Sequence, residues 1–88
     1  MTTPSKRLSE LGIVLPSVAA PVAAYVPAVR TGSCVYVSGQ VPFVDGKVAA
    51  TGKLGAEISV EQGAELARIC ALNSLAAIDD LVGIDNIV

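Results

Sequence analysis

The stretch Cys34–Val48, CVYVSGQVPFVDGKV, decides the fold. It opens as a β-strand, with β-branched and aromatic side chains in close succession. Ser38-Gly39-Gln40 then puts a hydroxyl, a bare backbone and an amide into the best β segment of the chain. Two readings fit such an interruption: a bulge, or the lining of a binding site. Asp45-Gly46 follows as a hairpin turn, because a type I′ turn needs positive φ at both central residues. Lys47–Ala50 returns as a short strand.

Upstream, Ala23–Arg30 (AAYVPAVR) reads as a first strand, with Pro27 placing it at an edge or bulge. Thr31–Ser33 supplies the turn into the second strand. Leu11–Ala20 is an apolar, proline-punctuated lead-in, and Met1–Glu10 a polar, peripheral end. Downstream, the Gly-rich loop Thr51–Glu57 leads to a helix over about 60–82. Ser59 caps it, Gln62 completes a capping box, and Gly83 ends it. Within it Gly63, Ala67, Cys70, Ser74, Ala77 and Leu81 recur at helical spacing, a mostly small stripe suited to close packing on a sheet. Glu61, Glu65, Arg68 and Asp79 share the opposite side. Ile69, Leu72 and Ala76 fall on that polar side or its margin, which suggests cover by an assembly. The last residues, 86–88, read as the start of a further strand. All of this fits one domain over 1–88, with strands in about 23–50. A sheet covered by one helix leaves half of its core open, so the chain reads as the N-terminal portion of a domain, truncated after the first helix.

Composition narrows the function classes. At 88 residues and 52% hydrophobic, but only 3% aromatic, the core must be built from Ala and Val and buries little area per residue. Such a unit is expected to need partner surface. The net charge of −2 and the absence of a basic run beyond Lys6-Arg7 argue against electrostatic capture of nucleic acid. Two cysteines, Cys34 and Cys70, and no histidine give neither a disulfide framework nor a zinc site; both thiols are expected reduced and buried, in the cytoplasm. Leu11–Val29 carries no charge, but Pro16, Pro21 and Pro27 break a spanning helix, and Glu10 sits inside a would-be signal segment.

Taken together, AYVPAVRTGSCVYVSGQVPFVDGKV and ATGKLGAEISVEQGAELARICALNSLAAIDDLVG resemble the Rid family, also called the YjgF or L-PSP endoribonuclease family. The likeness runs from about Ala20 onward and includes an asparagine matched to Asn73. It rests on the ordered set of segments more than on one motif. It implies an α+β, chorismate-mutase-like fold: a mixed sheet with helices packed on one face, assembled as a homotrimer with clefts between subunits. It also implies a deaminase that hydrolyses reactive 2-imino acids (enamines and imines) to 2-oxo acids and ammonia with no cofactor. The positions matching the N-terminal half of the family's site are Tyr25, Ser38 and Gly39, with Gln40 beside them. The family's carboxylate-gripping arginine and its water-positioning glutamate would lie beyond residue 88, so catalytic residues are not assigned. The 88-residue chain alone is expected to be inactive, with a separate C-terminal fragment as one route to activity. Val26-Pro27 stands where the family usually has Ser/Gln, which marks a divergent subgroup. The alternatives are a non-catalytic ligand-binding or assembly protein of the same fold, and the endoribonuclease or translation inhibitor of the family's name.

Imine hydrolysis needs a carboxylate anchor, a water aimed at the C=N carbon and a proton source for nitrogen. Ser38 is expected to donate a hydrogen bond to the substrate, Gly39 to admit it close to the backbone, and Tyr25 to close the cleft with its ring.

Overall fold

The computed structural model of the chain describes residues 2–18 and 25–88. The order is helix α1 (Pro4–Glu10), strands β1 (Ala28–Thr31), β2 (Cys34–Val37), β3 (Phe43–Val44) and β4 (Lys47–Val48), helix α2 (Val60–Val82), and a closing 3-10 turn at Ile84–Asn86.

The strands form two antiparallel ribbons. In the first, Ala28 pairs with Val37, Val29 with Tyr36, Arg30 with Val35 and Thr31 with Cys34. In the second, Phe43 pairs with Val48 and Val44 with Lys47. The turn between β3 and β4 has Asp45 at φ 52° and Gly46 at φ 80°, the two positive values expected of Asp-Gly.

The strands are shorter than the sequence suggested. β2 stops at Val37, because Ser38-Gly39-Gln40 leaves the ladder and Pro42 centres a tight turn in which the Phe43 amide donates to the Val41 carbonyl at 2.7 Å. β1 begins only at Ala28; Tyr25–Pro27 precede it, and Ala23 and Ala24 lie outside the described residues, as do Ala19 and Ala20 of the lead-in. At the other end, Asn86 belongs to the 3-10 turn, and only Ile87 takes up extended backbone, at φ −90° and ψ 132°.

α2 spans Val60–Val82 as the capping signals indicate. Ser59 Oγ accepts from the Gln62 amide, Gln62 answers with its side chain, and the Gly83 amide bonds the Asp79 carbonyl. Its buried face differs from the expected stripe. Asn73, Ala76 and Ala77 are buried, with Leu66, Ile69 and Cys70 half-buried, whereas Ala67 and Leu81 are exposed. The helix is therefore rotated by roughly a quarter turn from the small-residue stripe. Apolar residues occur on several of its sides, so size alone did not fix which side meets the ribbons. Ile69 and Ala76, assigned to the outer side, are covered by the chain itself.

Within the polar, peripheral end, Pro4–Glu10 form a helix with no buried residue. Thr3 caps it, Pro4 stands in its first turn, and Gly12 at φ 70° closes it. It is tied to the far end of the chain: the Ser5 amide donates to Asp85 Oδ1 at 2.7 Å and Ser5 Oγ to Asp85 Oδ2 at 2.6 Å. The Ser5 hydroxyl, then its amide, hold the Asp85 carboxyl below the usual carboxylate range.

Among the described residues, the buried apolar ones are Ile58, Ala76, Ala77 and Ile84. The outer face of the first ribbon is open: Val29 is 46% and Tyr36 61% exposed, and Cys34 beside them is exposed too. Cys34 was expected to be buried, but its register with Thr31 puts it on the same face as Val29 and Tyr36, away from α2.

Candidate functional site

The Ser38 corner is built by the end of the first ribbon. One residue past the paired Val37, the Pro27 carbonyl accepts both the Ser38 amide, at 2.9 Å, and Ser38 Oγ, at 3.1 Å. This double bond ends β2 and fixes the direction in which the chain leaves it. Gln40 folds back, its Nε2 donating to the Ser38 carbonyl at 3.4 Å. Gly39 stands exposed between them, with open space where a Cβ would be. Among the described residues, the Gly39 amide has no hydrogen-bond partner. The interruption in the sequence is thus a strand end pinned on both sides, and no pairing resumes across it as a bulge would require.

The geometry revises the role expected of Ser38. Its proton is spent on Pro27, so what it offers a ligand is a lone pair, an acceptor for an N–H group. The exposed Gly39 amide offers the complementary donor. Tyr25 is 38% exposed and lies two residues ahead of Pro27, at the same end of the ribbon as Ser38. Gln40 is a brace for the corner through its bond to the backbone.

Asn73 supports this corner from below, a role that its place in the helix did not announce. It is 2% exposed, and its Nδ2 donates to the carbonyls of Val41 and Phe43, each at 3.2 Å. Those carbonyls flank Pro42, so the clamp sets the path from Gln40 into the β3–β4 hairpin. The available signal was one asparagine, next to Ser74, inside a run rich in Ala and Leu, which a buried helix keeps only if its amide is paired.

The arginines do not stand in for a carboxylate anchor. Arg30 Nε donates to the Gly32 carbonyl at 3.0 Å in the β1–β2 turn, and Arg68 faces Glu65 at 3.7 Å on the exposed side of α2. A separate groove of about 660 Å³ lies between residues 14–18, the β3–β4 hairpin and α2. Val14, Phe43, Ile69 and Leu72 make it apolar, and Asn73 lines it; Tyr25 and Ser38–Gln40 do not.

The model of the family described as "YjgF/chorismate_mutase-like, putative endoribonuclease" matches residues 5–87. The chain belongs to this family. A crystal structure described as a putative endoribonuclease from Shewanella oneidensis MR-1 superposes with a TM-score of 0.87 at 37% identity, over 96% of this chain and 56% of that one. The protein Atu1372 of Agrobacterium tumefaciens, of unknown function, gives 0.74 at 43% identity, over 90% of this chain and 47% of that one. Protein TCP17 of Trypanosoma cruzi is 42% identical over 77 residues, which cover 88% of this chain and 48% of TCP17. The chain therefore spans about half the length of its YjgF-like relatives, and the α+β fold of the family is the fold of this chain.

Proposed function

We propose that this chain supplies the N-terminal half of a deaminase site that hydrolyses 2-imino acids, within a homotrimer whose clefts lie between subunits. In the reaction, water adds to the C=N carbon, nitrogen takes up a proton, and ammonia leaves to give the 2-oxo acid. The observation that carries the reading is the Ser38-Gly39 corner. It presents one acceptor and one donor side by side on a backbone already fixed, with no side chain at Gly39 to keep a ligand away. An imine N–H can donate to Ser38 Oγ, and the Gly39 amide can donate to a carboxylate or carbonyl oxygen. Tyr25 closes the same end of the ribbon, and Gln40 keeps the corner rigid. Anchoring the carboxylate and directing the water fall to groups outside these residues. The open Val29–Tyr36 face supports the assembly, since it leaves apolar surface in water that a neighbouring subunit would cover.

The test joins residues 1–88 to the second half of the Shewanella relative and supplies freshly generated 2-iminobutyrate. The joined protein should release ammonia well above the buffer rate, while the 88-residue chain alone should match buffer. A joined, folded protein at the buffer rate that cleaves RNA in a salt-sensitive way would replace this reading with the nuclease one.

A further inference from the structure

We propose that α1 and the segment Gly12–Val18 form one strap, fastened by Ser5 to Asp85, and that this strap is the movable wall of the groove against the β3–β4 hairpin and α2.

Three observations make the strap. The first is how little else holds α1. None of its residues is buried, and among the described regular elements it packs only on the closing 3-10 turn. Against that stands a two-pronged bond between residues 80 positions apart, the Ser5 amide and hydroxyl on the two oxygens of Asp85. Charge-assisted bonds of this kind are shorter and stronger than neutral ones, and here two converge on one carboxylate.

The second is the joint between helix and strap. The Gly12 amide donates to the Ser9 carbonyl at 3.0 Å and the Ile13 amide to the Leu8 carbonyl at 2.9 Å, with Gly12 in the left-handed region. This paired closure sets the angle at which the chain leaves the helix. The closure fixes the junction as far as Ile13, directly before the Val14 that borders the groove.

The third is where the strap leads. Val14, Pro16, Ser17 and Val18 form one wall of the groove, and Phe43, Leu72 and Asn73 belong to the facing side. Val14 is 89% exposed, so the wall is not locked by burial of its own side chains. The volume, about 660 Å³, lies within the range of sites that take small molecules. Releasing one hydrogen-bonded pair at Asp85 thus frees a lever whose other arm borders the groove. The inference does not rest on the deaminase reading: Tyr25 and Ser38–Gln40 do not line the groove, and Asn73, which braces the corner, is only one residue of the facing wall.

Hydrogen exchange and dye binding on the 88-residue chain test it. In Asp85→Ala the amides of Arg7, Leu11, Gly12 and Ile13 should exchange at least tenfold faster, in Ser5→Ala by a smaller factor, and those of Asn73–Ala77 at the wild-type rate. Fluorescence of 8-anilinonaphthalene-1-sulfonate should rise in Asp85→Ala, and a second change, Leu72→Glu, should remove the gain. Unchanged exchange at Arg7–Ile13 would overturn the proposal. So would lost protection at Asn73–Ala77 in both single variants, which would make the tie part of the global fold, or a dye signal indifferent to Leu72→Glu.

Discussion

At the scale of single residues, three polar side chains hold the local geometry: Ser38 on the Pro27 carbonyl, Asn73 on Val41 and Phe43, and Ser5 on Asp85. Asn73 is the most demanding, being buried with both amide hydrogens committed. Truncation in Asn73→Ala removes a donor from the Phe43 carbonyl, and one of two from the Val41 carbonyl, and opens a void, so unfolding stability should fall by about 2–4 kcal/mol in urea titration. An effect below about 0.5 kcal/mol would show that the clamp is dispensable. Ser38 and Gly39 could be picked out in the sequence because a hydroxyl and a glycine break an apolar β pattern. The direction of the Ser38 hydroxyl could not, because it depends on a carbonyl eleven residues away that only the strand register brings near.

At the scale of elements, local chemistry was legible and orientation was not. Asp45-Gly46 made the turn that its φ preferences require, and Ser59, Gln62 and Gly83 bounded α2 as their capping chemistry dictates. The buried face of α2 was misplaced because Ala, Leu and Ile occupy several sides of it, and the choice is made by the ribbons it meets. α1 was overlooked for a related reason. Leu8 is its one large apolar residue, and the helix stands on Thr3, Pro4 and a distant aspartate in place of an apolar stripe. Two carboxylates report on these junctions. The Lys53 amide, with its own backbone, lowers the pKa of Glu57 in the Gly-rich loop, and Ser5 lowers that of Asp85 at the strap. A lowered folded-state pKa contributes stability that is complete above the unfolded value, about 4, and is lost as pH falls through the folded one. Exchange of the Thr51–Ile58 and Ser5–Ile13 amides should therefore stay protected down to about pH 5 and loosen below about pH 4, with the intrinsic pH dependence of exchange removed. Both groups are exposed, so the change should be local and α2 should keep its helical signal.

At the scale of the whole molecule, an alanine-rich interior meets an open ribbon face, in a chain that spans about half the length of the relatives it matches. The family was legible because it rests on an ordered series of local features, each with its own chemistry. The contact between Asn73 and the Val41 and Phe43 carbonyls was not, because it joins segments some thirty residues apart. If Val29 and Tyr36 are subunit contacts, the joined protein should sediment as a trimer, and Tyr36→Lys should shift it toward monomer with its circular dichroism retained; an unchanged trimer would place the contact elsewhere. The central claim is that Ser38-Gly39 is one half of a ligand site and not merely the end of a strand. Gly39→Val addresses it most directly, because the fold leaves open space around a Cβ there while a ligand approaching the backbone does not. In the joined protein this variant should melt within a few degrees of the parent and hydrolyse 2-iminobutyrate at least tenfold more slowly; equal rates at equal stability would contradict the account.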